Sequence, residues 1–154
     1  MTATPTEPWR CYDDIEIDVP VESASTAVSR EEMIAFASEY DPQYFHTNPE
    51  AAARAHQAFD DVVASGIHTM AIWRKLDHEL AHDIRWICGV AWEDVRWPHP
   101  LRPGDRVRAR STFLDKRPSS SRPDRGVVTC LYELVRDDDE VIWSCRGISL
   151  IERR

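Results

Sequence analysis

The spacing of apolar positions changes repeatedly along this chain, and each change marks an element. In "CYDDIEIDV", Tyr12, Ile15, Ile17 and Val19 fall at mostly alternating positions, the pattern of a half-buried leading strand. In "STAVSREEMIAFASEY" the spacing turns helical: Ser29 and Glu32 form a capping box, and Met33, Ile34, Phe36 and Ala37 share one side. That helix stops near Tyr40, because Asp41 precedes Pro42 and a residue before proline is pushed away from helical angles. "TNPEAAARAHQAF" starts another short helix, with Thr47 or Asn48 as its cap and Pro49 at its first position. "VVASGIHTMAIWRKLDHELA" is the longest helix, opened by Ser65 and Gly66. Ile67, Met70, Ala71, Ile72 and Trp73 make its first turns apolar on most faces, as in a helix gripped by a sheet.

Everything downstream reads as strands. "IRWICGVAWEDVRWPHP" is rich in Trp, Val and Ile and is closed by two prolines. "LRPGDRVRARSTFLDKRP" begins with a Pro-Gly-Asp turn and then alternates through Val107, Ala109, Ser111 and Phe113. "VVTCLYELV" and "VIWSCRGISLIE" follow, separated by the polar turn "RDDDE". The expected order is one leading strand, short helices, one buried helix and a four-stranded meander. Without βαβ alternation, this is an α+β domain with an antiparallel sheet wrapped around a long central helix. Residues 12–154 are expected to form that single domain, behind a flexible tail over residues 1–11.

Composition narrows the classes. At 154 residues the chain holds one domain's worth of core. A net charge of −8 argues against a nucleic-acid partner, whose phosphates call for Lys and Arg. No apolar run approaches the roughly 20 residues that cross a bilayer, so no membrane partner is expected. The N-terminus lacks a basic start and an apolar stretch, and the expected location is cytoplasmic. Cys11, Cys88, Cys130 and Cys145 show no C-x-x-C spacing and read as reduced, mostly buried thiols, with no metal site.

The candidate chemistry lies in "EYDPQYFHTNPE". Asp41 and His46 stand five residues apart in a loop-like segment, and a carboxylate and an imidazole converging on one water can remove a proton and return one. Read locally, Asp41 serves the turn and His46 is a polar loop residue. A second feature is Ser65-Gly66 at the start of the long helix, where unsatisfied N–H groups and the helix dipole suit an oxygen gaining negative charge. Read locally again, Ser65 is an N-cap and Gly66 a packing convenience.

Together, "FASEYDPQYFHTNPEAAARA", "VVASGIHTMAI" and the stretch from "RWPHPLRPGD" to "VVTCLYELV" resemble the MaoC-like dehydratases, the hotdog-fold group that includes the R-specific enoyl-CoA hydratases. The likeness runs from about Tyr12 to Glu152. It implies that Asp41 and His46, matching the family's D-x-N-P-x-H motif, are the catalytic pair that activates water for addition to a trans-2-enoyl thioester. It also implies that Ser65-Gly66, matching an H-G segment, supplies the N–H that contacts the thioester carbonyl. Gln43 stands where asparagine is usual and Tyr44 where proline is usual, which points to a changed acyl pocket. No metal or redox cofactor is implied: coenzyme A or an acyl-carrier arm is the handle of the substrate. Two other readings stay open, a hotdog acyl-CoA thioesterase and a non-catalytic acyl-CoA-binding subunit.

Other residues read more plainly. His68 is a core or helix-surface histidine that can also face the pocket, and His56, His78, His82 and His99 show no ligand spacing. Arg117, Arg122 and Arg125 fit a solvated hairpin loop slightly better than a phosphate site. The six tryptophans read as core or interface, and "RWICGVAW" fits the contact of a homodimer.

Overall fold

The computed structural model describes residues 9–55 and 59–154. A 3-10 turn at Tyr12–Asp14 is followed by β1 (Val21–Glu22), β2 (Thr26–Ala27), α1 (Arg30–Tyr40), α2 (Tyr44–Thr47), α3 (Pro49–Arg54) and α4 (Gly66–Ala81). Four long strands complete the chain: β3 (Trp86–Arg96), β4 (Arg106–Pro118), β5 (Arg125–Arg136) and β6 (Val141–Glu152). The sheet is antiparallel, ordered β1-β4-β5-β6-β3, with β2 also on β4. Among the described residues, no helix is long and apolar enough to cross a membrane.

Local signals set the helix ends. Ser29 and Glu32 close the capping box on α1, with the Ser29 hydroxyl accepting from Glu32 N and the Glu32 carboxylate accepting from Ser29 N at 2.8 Å. Asp41 terminates α1 in a non-helical conformation. Asn48 caps α3 by accepting from Ala51 N, with Pro49 in the first turn. The turn before β4 places Gly104 at φ +84°, a conformation that a side chain disfavours.

Three expectations are corrected. "CYDDIEIDV" forms no strand: the Asp14 carboxylate accepts from Cys11 N at 2.8 Å and winds the chain into the 3-10 turn. Tyr12 and Ile15 are buried all the same, in a small cluster with Ile84, Val128 and Ile151. The four long strands are no simple meander either, since β3 crosses to the far edge and pairs with β6 instead of β4. The grip on α4 is one-sided: His68, Thr69, Trp73, Leu76 and Asp77 are buried, whereas Ile67 is 55% exposed.

The expected tail over residues 1–11 lies, for residues 1–8, outside the described residues. Arg10 and Cys11 belong to the fold: Arg10 bridges to Ile84 and its guanidinium meets Asp83 at 2.6 Å, while Cys11 is buried. The expected continuation of α3 through His56 likewise falls partly outside them.

The main core lies between α4 and the sheet. Trp73 and Leu76 pack with Val107 and Ala109 of β4, Cys130, Tyr132 and Leu134 of β5, and Ile142, Trp143 and Cys145 of β6. The alternation along β5 makes this possible, turning every second residue from Gly126 to Leu134 inward. Each large side chain buried this way contributes roughly 1.5–3 kcal/mol. Cys11, Cys130 and Cys145 are buried free thiols, and Cys88 on β3 is exposed.

Candidate active site

Chain geometry brings Asp41 and His46 together at the start of α4. Asp41 is the C-cap of α1, and the break at Pro42 turns the chain straight into α2, which carries His46. His46 is thus held in a short helix instead of the loop its neighbours suggest. Its ring is buried, and Nδ1 lies 2.7 Å from the Val63 carbonyl oxygen. Because a carbonyl only accepts, Nδ1 carries the hydrogen, which turns Nε2 toward Asp41. The same two segments are joined again by Val63 N donating to the Phe45 carbonyl at 3.2 Å.

His46 Nε2 stands 3.4 Å from Asp41 Oδ2, beyond ordinary N–H···O hydrogen-bond length. The carboxylate is held by others. The Ser65 hydroxyl donates to Oδ2 at 2.7 Å, and the Gln43 side-chain amide donates to Oδ1 at 2.9 Å. These two bonds, the Ser65 bond foremost, hold the Asp41 carboxyl below the usual carboxylate range, against a smaller opposing effect of desolvation. Gln43 therefore has a definite task at the position where asparagine is usual. Tyr44 is exposed and meets Phe45 edge-on at 5.2 Å.

Ser65 does two things at once. It is fully buried and caps α4 by accepting from Ile67 N at 3.3 Å, while its hydroxyl hydrogen goes to Asp41. The sequence points to Ser65-Gly66 for its backbone donors, whereas the bond from the hydroxyl to Asp41 joins residues 24 apart and has no local signal. Gly66 opens the helix directly beside it. Its first-turn N–H has no acceptor within the helix and lies at the positive end of the helix dipole.

Trp97, just past β3, lies against the first turn of α4, a contact that the sequence did not announce. Its indole N–H donates to the Gly66 carbonyl at 3.2 Å, and a Cβ on Gly66 would stand 3.0 Å from the indole nitrogen. The contact joins residues 31 apart, and "RWPHP" gave only an interface or core tryptophan.

His68 lies off this constellation. It stacks on Phe36 at 4.4 Å and 8°, and burial holds its pKa below the usual imidazole value, with Glu32 opposing. Its Nδ1 is buried without a hydrogen-bond partner among the described residues, and it lines a cavity of about 250 Å³ between α4 and β2. A second cavity of about 300 Å³ lies between the later turns of α4 and β3, lined by Trp73, Arg74, Asp77, Trp92, Tyr132 and Ser149 among others. In the hairpin joining β4 to β5, Arg122 and Arg125 both face Asp124, as in a solvated loop.

This arrangement can be set beside known proteins. A sequence model described as the MaoC like domain matches residues 14–131. The Bacillus subtilis protein YdeM, itself uncharacterized, is 31% identical over 144 residues, covering 92% of this chain and 98% of its own length. The 3-hydroxyacyl-thioester dehydratase Z of Mycobacterium tuberculosis is 31% identical over 90 residues, 56% of this chain and 58% of its own. Among solved structures, the MaoC-like dehydratase from Rhodospirillum rubrum superposes with a TM-score of 0.84 at 36% identity, over 94% of this chain and 98% of that one. The unliganded R-hydratase from Pseudomonas aeruginosa shares the fold, with a TM-score of 0.71 at 15% identity over 94% and 86% of the two chains. On the match of its sequence and of its single hotdog domain, this chain belongs to the MaoC-like dehydratases, a family of hydratases and dehydratases.

Proposed function

We propose that the chain adds water to a 2-enoyl thioester and, in reverse, dehydrates a 3-hydroxyacyl thioester. The observation that carries this reading is the convergence of Asp41 Oδ2 and His46 Nε2, 3.4 Å apart, beside the N-terminal end of α4. With Nδ1–H committed to Val63, Nε2 of the neutral ring is an acceptor, and so is the carboxylate. One water gives a hydrogen to each, which leaves its oxygen lone pairs free to attack.

The oxygen attacks the β-carbon of the enoyl group as the pair takes one of the water's protons. Electrons move to the thioester carbonyl oxygen, where the Gly66 N–H and the dipole of α4 stabilise the developing charge. The proton returns to the α-carbon from the same face, so the water is added whole. Ser65 and Gln43 keep the carboxylate ionised and aimed throughout. The thioester is carried by coenzyme A or an acyl-carrier arm in the cytoplasm.

The working form is a homodimer. β3 is the last strand of the sheet, and its edge is open in the single chain. Val90 and Trp92 on it are 60% and 48% exposed, and an open apolar edge of this kind is covered by pairing.

Incubation with crotonyl-CoA tests the reaction. Loss of the conjugated-thioester absorbance without free thiol supports hydration, whereas release of thiol identifies a thioesterase. Asp41→Asn and His46→Ala are each expected to lower kcat/KM by about 100-fold or more with the fold intact. Wild-type rates in both variants would remove the site assignment.

A further inference from the structure

Trp97 has no part in the chemistry above, yet its indole N–H begins a run of hydrogen bonds that ends on Asp41. The N–H donates to the Gly66 carbonyl at 3.2 Å. That carbonyl and the Ile67 N–H belong to one conjugated peptide unit, and the Ile67 N–H donates to the Ser65 hydroxyl oxygen at 3.3 Å. The Ser65 hydroxyl in turn donates to Asp41 Oδ2 at 2.7 Å, the oxygen that stands 3.4 Å from His46 Nε2. Every link points the same way, from the indole hydrogen to the carboxylate oxygen. In such a run each bond polarises the next and strengthens it by about 10–30%. The first two links lie at the long end of the N–H···O range and the last is short, so the indole acts on the carboxylate more weakly than Ser65 itself does.

The indole is held where it can do this. It fills the space of a Gly66 side chain: the three atoms that a Cβ there would meet, at 3.0, 3.1 and 3.3 Å, all belong to Trp97. At the other end of the same segment, the Leu101 carbonyl accepts from Ala64 N at 2.9 Å. Residues 97–101 are therefore tied at both ends to the residues that open α4, and Pro98 and Pro100 between them fix two backbone angles. Glycine is the residue most free to move in a first turn, and Gly66 is steadied here by a side chain 31 residues away.

The charged groups nearby act on Asp41 directly or are engaged elsewhere. His46 is the titratable group that faces it, Glu39 accepts from the Tyr40 hydroxyl, and Arg96, next to Trp97, pairs with Asp94 at 2.6 Å.

We propose that Trp97 is a positioning residue for the proton-handling pair: through the Gly66–Ile67 peptide and the Ser65 hydroxyl, its indole N–H keeps the Asp41 carboxylate ionised and aimed. Without that N–H, Ile67 donates less strongly to Ser65, and Ser65 less strongly to Asp41. This inference rests on the hydration reading for the use made of the carboxylate, whereas the hydrogen-bond route is measurable without substrate.

Trp97→Phe keeps a ring against Gly66 and deletes the donor. NMR of the substrate-free protein in its solution state follows the Asp41 carboxyl carbon, assigned by its loss in Asp41→Asn, through a pH titration. In Trp97→Phe the Asp41 midpoint is expected to move upward, by less than in Ser65→Ala. In Ser65→Ala the route is already cut, so adding Trp97→Phe is expected to move Asp41 no further. The temperature coefficient of the Ile67 amide proton is expected to steepen in Trp97→Phe, as its hydrogen bond weakens. With crotonyl-CoA, kcat/KM of Trp97→Phe is expected to fall about threefold, mostly in kcat, with the acid limb displaced in the same direction as the titration.

An Asp41 midpoint that stays in place in Trp97→Phe overturns the proposal even where the denaturation midpoint falls, because Trp97 is then structural only. A full shift in the Ser65→Ala background overturns it too, since the indole then acts by another route. Should Ser65→Ala not fold, Ile67 decides, and an unchanged coefficient removes the route. The Asp41 shift without enoyl turnover keeps the route and removes the reaction. Turnover without the shift does the opposite.

Discussion

Asp41 holds its charge more firmly than a free carboxylate because two side chains reach it from outside its own helix, and the stronger bond is the one from Ser65. The sign of the pH effect follows. A carboxyl whose pKa is lowered by folding contributes stability above its unfolded value, and that contribution is lost as pH falls through the folded value. Ser65→Ala removes the larger cause, so the carboxyl returns toward its ordinary range and protonates at a higher pH. The acid limb of the kcat/KM profile is expected to move upward relative to wild type, and an unmoved limb would detach Ser65 from Asp41. The same substitution deletes the cap of α4, at about 1 kcal/mol, read as a lower denaturation midpoint. Both roles were half legible: Ser before Gly at a helix start announces a cap, but nothing local says that Asp41, 24 residues earlier, takes the hydroxyl hydrogen.

At the scale of elements, what the sequence disclosed is what neighbouring residues decide. Ser29 with Glu32, Asp41 before Pro42, Asn48 before Pro49 and Ser65 before Gly66 each set a helix end through bonds within four residues, and each is found where the signal stands. The segment from Tyr12 to Val19 misleads for a physical reason. Alternating apolar residues can be buried by a turn that drops Tyr12 and Ile15 against Val128 and Ile151, and Lys116 Nζ then donates to the Tyr12 and Ile15 carbonyls.

Strand glycines carry a similar long-range requirement. A Cβ at Gly147 of β6 would stand 2.3 Å from the Tyr132 ring of β5, which is buried and cannot swing into solvent. Gly147→Ala is therefore expected to destabilise the fold by about 1–3 kcal/mol in chemical denaturation. A neutral result would show that the Tyr132 ring repacks freely.

For the whole molecule, the open edge of β3 dominates. Val90 lies at its middle and is 60% exposed, facing no residue of its own core. If a second copy covers that edge, Val90→Asp sets two carboxylates close together across the interface while leaving the single domain untouched. Sedimentation is expected to show a dimer for the wild type and a shift toward monomer for the variant, with the same far-UV circular dichroism. A variant that stays dimeric would place the contact elsewhere. The pattern "RWICGVAW" pointed to an interface but not to the edge position, because edge or centre depends on which strand is the neighbour.

That neighbour has a temporal consequence. Residues 97–140 separate β3 from β6, its partner in the sheet, and β4 and β5 are made in between. During synthesis β3 must wait, unpaired, for the final strand, and contacts so distant along the chain close late because loop entropy opposes them. Trp97 follows immediately after β3, so its contact with Gly66 closes late: a nascent chain ending before Val141 would already hold Asp41, His46 and all of α4, yet Trp97 would have no paired strand to seat it on the first turn of that helix.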